Sequence, residues 1–246
     1  DLAGLIRKVV EAMGVEPAPT AMSIPVFSSF STLIQLPLMS EQEVAQAVQF
    51  EARKAIPVPL AEVVMEWTVL QRERDPKLPK GQPAWLRFLG VGASASAAPA
   101  AAGTTLGVML AAVPRDVLAK YVAVASAAGL PLSLVEVETF SLARALAAQA
   151  PEPSLLVDIG ARSTNFSIIE EGFVSLTHNV EIAGHDLTRA TARGLNIQIS
   201  RAEERKQTQG LTGGAGENQI AQLMVSYLDL LASEAERVLA IHERGG

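Results

Sequence analysis

An α/β fold with mixed sheets is predicted for this chain of 246 residues from three observations. Segments of helical periodicity alternate with β-branched runs. Some of those runs follow one another as hairpins while others lead into a helix, which mixes the two kinds of strand connection. Hydrophobic residues make up 49% of the chain, enough to bury a sizeable core in one or two compact units.

The elements follow in order. Leu2, Ile6, Val9, Val10 and Met13 recur at helical spacing and Gly14 supplies a stop, so a helix is predicted over about residues 2 to 13. Thr20 to Pro37 is β-branched and apolar, broken by Ser28, Ser29 and Ser31, and reads as two short strands. Ser40 followed by Glu43 matches a capping box, opening a helix whose apolar face runs through Val44, Ala47, Val48 and Ala52 to Ile56, where Pro57 and Pro59 end it. Strands are expected at 62 to 71 and 85 to 92, with the charged stretch Arg72 to Pro83 as a loop between them. Ala93 to Thr105 has too little bulk to pack and reads as a mobile loop. A strand at 106 to 112 precedes a helix opened by Pro114 and closed by Gly129. Leu132 to Val137 is a strand and Phe140 to Ala148 a helix.

Two prolines in Pro151-Glu152-Pro153 cannot continue a helix, so a domain boundary is expected there, with domains over 1–150 and 153–246. Strands at 155–158, 164–169 and 173–177 follow, the last two joined by a Glu171-Gly172 turn. Helices at about 185–193, 200–207 and 217–242 complete the chain, the second with Ser200 and Glu203 as a capping box.

Composition excludes several functions. The formal net charge is -6, so no broad basic surface exists to collect nucleic-acid phosphates. The absence of cysteine removes disulfides, thiolate zinc sites and thiol nucleophiles, and fits a reducing, cytoplasmic compartment. No apolar run approaches the roughly 20 residues that span a bilayer, so a soluble chain is expected.

The most specific local signal is the run Leu155-Leu156-Val157-Asp158-Ile159-Gly160-Ala161-Arg162-Ser163-Thr164-Asn165. An apolar strand, expected to be buried, delivers an aspartate and a glycine into a sharp turn, and a second strand restarts with hydroxyl and amide side chains. Such a turn can aim backbone N–H groups at a phosphate while the aspartate faces a hydrated Mg²⁺. An ordinary β-hairpin with Asp158-Ile159-Gly160 at its turn reads equally well.

These residues resemble the second phosphate loop of the actin superfamily. Met39-Ser40-Glu41-Gln42-Glu43, leading to Phe50-Glu51-Ala52-Arg53-Lys54-Ala55-Ile56-Pro57-Val58-Pro59, resembles the PilM family of type IV pilus assembly proteins, as do Ala128-Gly129-Leu130, Leu134 to Val137, and Glu138 to Leu146. The resemblance runs with gaps from about residue 5 to residue 242. It implies an actin-like (ribonuclease H-like) ATPase fold of two lobes, with an extra α/β subdomain at about 34–119 in the first and a second lobe from about 153. ATP and Mg²⁺ would lie in the cleft. Asp158 would hold the metal's water shell, Gly160, Ser163, Thr164 and Asn165 would line the phosphates, and Glu138 would orient the attacking water. Gly184 would mark the turn before a cleft helix, although Ala183 stands where the family usually has a second glycine. Glu203, Glu204 and Lys206 would lie near the ribose and base.

Each of these has a plainer alternative. Glu138 also suits the first turn of any helix, where the dipole favours a carboxylate. Glu203, Glu204 and Lys206 also suit a solvated helix face. His185 has no neighbours at metal-ligand spacing and fits a surface or capping role. Ser163 has no local base partner, and Gly213-Gly214-Ala215-Gly216 follows no strand and reads as a flexible loop.

The resemblance further implies that the first phosphate loop stands upstream of the first helix and the adenine-side loop beyond Gly246. The chain is therefore expected to be cut at both ends and to bind ATP weakly or not at all. The implied partner is the cytoplasmic N-terminal peptide of a PilN-like membrane protein, gripped at the first lobe and extra subdomain, with other inner-membrane complex proteins and self-association as further contacts. The implied location is the inner face of the cytoplasmic membrane. An FtsA-like cell-division ATPase and a nucleotide-independent secretion scaffold are the alternatives.

Overall fold

The computed structural model describes residues 1–16, 18–70, 105–147, 150, 152–170, 172–212 and 218–245. The expected strand at 85–92, the loop at 72–83, residues 93–104 of the loop at 93–105 and the glycine run at 213–216 lie outside the described residues, and Thr105 itself opens a strand. The chain divides into two compact units, one of Asp1–Glu152 with Glu170–Ser175 and one of Pro153–Ile169 with Leu176–Gly246.

In the first unit, helix α1 (Leu2–Met13) is capped by Asp1, whose side chain accepts from the Ala3 N–H, and stopped by Gly14 in the left-handed region. Strand β1 (Thr20–Ile24) and a 3-10 turn at Val26–Ser28 precede strand β2 (Phe30–Pro37). Helix α2 (Glu41–Ala55) carries the expected capping box: the Ser40 hydroxyl accepts from the Glu43 N–H and the Glu43 carboxylate accepts from the Ser40 N–H at 2.8 Å. Such a cap contributes about 1 kcal/mol. Strand β3 (Val63–Leu70), strand β4 (Thr105–Pro114), helix α3 (Arg115–Ala128), strand β5 (Leu132–Val137) and helix α4 (Glu138–Leu146) complete the unit. Helix α4 begins two residues earlier than expected because Glu138 and Thr139 continue directly from the strand with helical backbone.

β1 pairs in parallel with β5, burying Ile24 and Val137 opposite one another. β4 lies between β2 and β3, antiparallel to both. Alternation along the three strands puts Leu36, Val63, Val108, Leu110 and Ala112 on one face. Val44, Val48, Ala52 and Ile56 of the α2 segment pack onto that face and close a core of their own. The 3.6-residue period of α2 and the two-residue period of the strands thus meet in one apolar layer.

Strands β6 (Ser154–Ile159), β7 (Thr164–Glu170) and β8 (Phe173–Val180) form a sheet in that spatial order, and all of it except Glu170 and Phe173–Ser175 falls in the second unit. Gly172 takes φ 83° at the β7–β8 turn. Helices α5 (Gly184–Leu195), α6 (Ile199–Gln209) and α7 (Gln219–Gly245) follow. Leu231 and Val238 of α7 pack on Phe166 and Ile168 of the central strand. At the margin of that face, Glu234 accepts from His178 at 3.0 Å and pairs with Arg237 at 2.8 Å, tying α7 to β8.

Two expectations are corrected here. β6 is the sheet's edge and not a buried strand: it is half-buried at Leu155 and Leu156, while Val157 is 40% and Ile159 50% exposed. Ser200 and Glu203 form no capping box, because the helix already starts at Ile199 with Gln198 as its N-cap and the Glu203 side chain turns to Lys206 and Thr188. Among the described residues, no helix is long and apolar enough to cross a membrane.

Candidate functional site

Asp158 stands near the end of β6, directly opposite Asn165 in the antiparallel ladder. Opposed residues share a face at about 5 Å between Cβ atoms, so the two lie together. Asp158 is half-buried. Asn165 is 4% exposed, its amide donating to the Ser167 hydroxyl at 2.8 Å and its carbonyl accepting from the Thr177 hydroxyl at 2.9 Å. Thr164 is fully buried, and its hydroxyl donates to the Ile182 carbonyl at 2.6 Å. Both side chains are committed inside the sheet.

The turn between β6 and β7 is closed by the Gly160 N–H donating to the Ser163 carbonyl at 3.0 Å. Its other carbonyls hold the start of α5. Gly184 N–H donates to Gly160 O at 3.0 Å, and His185 N–H to Ala161 O at 2.9 Å. A Cβ at 184 would come within 3.3 Å of Gly160 O, so a side chain there would push on the turn by a few tenths of an ångström, while Lys206 Nζ at 3.6 Å is in ordinary contact. The helix-start donors that would face a phosphate are therefore occupied by the turn itself. Asp186 accepts from the Ala183 backbone N–H at 3.0 Å and so closes the first turn of α5.

Glu203 and Lys206 of α6 meet α5 at the same place. Lys206 Nζ donates to Gly184 O at 3.1 Å, to Thr188 Oγ1 at 2.9 Å and to Glu203 at 2.7 Å. Glu203 also accepts from the Thr188 hydroxyl and from Gln207 at 2.8 Å. The Lys206 ammonium, helped by Thr188 and Gln207, pulls the Glu203 carboxyl from 4.5 down to about 2. Since the folded value is the lower one, the pair's contribution to stability is complete above 4.5 and fades as pH falls toward 2. The Glu203 side chain is 37% exposed, so solvent screening keeps that contribution at about 1 kcal/mol or less. Thermal unfolding of the wild type and of Glu203→Gln should therefore converge across that pH window; a constant gap would contradict the assignment.

Glu204 is exposed, and so is His185, whose backbone N–H serves the turn. Among the described residues no group of three or more His, Asp or Glu side chains is arranged to hold a metal directly. Asp158 and the backbone of the Gly160–Ser163 turn are the elements that fit a hydrated Mg²⁺ and a phosphate. Thr164 and Asn165 shape that turn from within. Glu138 belongs to the first unit, where its carboxylate accepts from the Val26 N–H at 3.0 Å and so ties the start of α4 to the end of β1. Burial first, and the Glu138 charge second, raise the Tyr121 phenol above its ordinary value.

Sequence reasoning missed two features. Thr188, which joins Glu203 to α5, carries no sequence signal. The other is an open groove of about 480 Å³ along α3, lined by Arg115, Leu118, Ala119, Val122, Ala123 and Ser126, with Val64 of β3 as a wall. The spacing of the α3 residues is that of one helix face, and Val122 is 48% exposed on it. Arg115 Nε donates to Ala61 O at 2.9 Å, which fixes the guanidinium at one end of the groove.

The family model of the type IV pilus assembly protein PilM matches residues 93–244. A chain solved in a PilM-PilN type IV pilus biogenesis complex is 25% identical with TM-score 0.74, over 98% of this chain and 63% of that one. This chain thus spans less than two thirds of that relative. Weaker likenesses are the cytoplasmic domain of EpsL, an inner-membrane component of the Vibrio cholerae type II secretion system (12% identity, TM-score 0.45, 77% of this chain and 60% of that one), and MreB 5 of Spiroplasma citri bound to AMPPNP (17% identity, TM-score 0.43, 52% and 48%). No curated protein matches. The actin-like α/β class expected from the sequence is borne out by the PilM match, and the chain belongs to the type IV pilus assembly protein PilM family.

Proposed function

We propose that this chain acts as a cytoplasmic scaffold of the type IV pilus assembly machinery, binding the N-terminal peptide of a PilN-like membrane protein in the α3 groove of its first unit. The groove carries this reading. It is lined mainly by apolar side chains, bounded by a strand on one side, and ends at a guanidinium that can donate to a carbonyl or carboxylate of an extended segment. The solved relative in complex with PilN supports the choice of partner. The test is NMR of the labelled chain with such a peptide. Shifts concentrated on α3 and β3 are expected, and shifts elsewhere alone would sink the assignment.

Nucleotide is proposed as the regulator, with Mg-ATP supplying a phosphoryl group and its metal's water shell held by Asp158. Asp158→Ala is expected to weaken Mg-ATP binding about tenfold or more while leaving the fold intact, as read by calorimetry. An unchanged affinity would remove Asp158 from the site. The nucleotide-independent alternative is favoured by one observation: Thr164, Asn165 and Lys206 all spend their polar groups inside the protein.

A further inference from the structure

We propose that Thr188 is a positioning residue, whose hydroxyl fixes the Glu203 carboxylate and the Lys206 ammonium against the first turn of α5 and so sets how those two groups meet a nucleoside triphosphate. The last clause rests on the nucleotide reading above; the positioning itself does not.

A threonine hydroxyl has one proton to give and two lone pairs to receive with. Two acceptors lie within reach of Thr188 Oγ1, the Gly184 carbonyl at 2.9 Å and the Glu203 carboxylate. The charged acceptor makes the stronger bond, and Lys206 already serves the Gly184 carbonyl at 3.1 Å. The proton therefore goes to Glu203, and a lone pair receives Lys206 at 2.9 Å. Thr188 is 2% exposed, so no water competes for either bond. Thr188 touches both partners, and it belongs to α5 while they belong to α6. Without it, Glu203 and Lys206 form an i,i+3 pair within one helix, worth a few tenths of a kcal/mol in general, and Glu203 loses its tie to α5.

The same helix contains a control. Thr191, one turn on, is fully buried, and its hydroxyl donates to the Leu187 carbonyl at 2.9 Å, the ordinary back-bond of a helical threonine. Replacing it removes a hydroxyl of equal burial from α5 without touching Glu203 or Lys206.

The experiment compares wild type, Thr188→Val, Thr188→Ser and Thr191→Val in the whole chain. The readouts are the NMR titration of the Glu203 side-chain carboxyl and the calorimetric affinity for Mg-ATP; Thr188→Ala is read the same way if the valine variant does not fold. The Glu203 carboxyl is expected to titrate near 2 in the wild type, to move upward in Thr188→Val, to return in Thr188→Ser and to stay in place in Thr191→Val. Mg-ATP affinity is expected to fall roughly three- to tenfold in Thr188→Val alone. An unmoved Glu203 titration in Thr188→Val, or an equal movement in Thr191→Val, overturns the proposal. If the wild type binds no Mg-ATP, the nucleotide reading fails, and the carboxyl titration still decides whether Thr188 positions Glu203.

Discussion

Val122→Asp is expected to weaken binding of a PilN-type N-terminal peptide roughly thirtyfold or more, which is the scale of losing a central interface anchor. Val122 lies at the middle of the α3 stripe, between Leu118 with Ala119 and Ala123 with Ser126, and faces the groove in its exposed state. An apolar peptide side chain seated there would force the new carboxylate out of water with no cation beside it, since Arg115 sits two helical turns away at the groove's end. The fold should survive, because the residue is half in solvent and aspartate in an exposed helix position costs little. Val122→Ala should give a smaller loss, and Ile199→Asp, an equally apolar exposed site in the second unit, none. Calorimetry with the three variants decides the point. Equal affinity for Val122→Asp and wild type would take the peptide out of this groove.

Phe166→Ala should destabilise the protein by about 3–5 kcal/mol. The ring is 1% exposed, packed with Ile168 against Leu231 and Val238 of α7, and stacked on His178 with centroids 6.5 Å apart. The stacked His178 ring is itself anchored beside Glu234 and Arg237 and does not follow into the space. The loss is therefore a cavity as well as a transfer term. Urea unfolding followed by the near-ultraviolet signal measures it. A loss below about 1 kcal/mol would mean that α7 collapses onto β7 and that the sheet face is less tightly packed than its burial indicates.

What could be read from the sequence was local. The Ser40–Glu43 capping box, the glycine stops at 14 and 129, and the two-residue step from β7 to β8 each depend on residues within one turn of each other, and all appear as expected. Pairings across long separations were not legible. Val26 and Glu138 lie 112 residues apart, and the parallel pairing of β1 with β5 encloses the whole α2 subdomain. Nothing in either local pattern names the other. The candidate site divides along the same line. Asp158 and Gly160 stand within three residues of each other and are legible together as one local pattern, whereas Thr188, Glu203 and Lys206 converge from two helices. Thr164 and Asn165 show another limit: polar residues beside a glycine turn suggest a ligand, but β7 is the central strand and is buried on both faces, so these consecutive residues are both covered. The groove was invisible for a different reason. A stripe of Leu, Ala and Val at helical spacing predicts an apolar face equally well whether a core or a partner covers it.

The most direct measurement is calorimetric titration of a PilN-type N-terminal peptide into this chain, with and without Mg-ATP. Saturable one-to-one binding in the absence of nucleotide is predicted, because the groove lies wholly within the first unit. No binding under either condition would contradict the account: the chain would keep its place in the PilM family and lose the partner proposed for it.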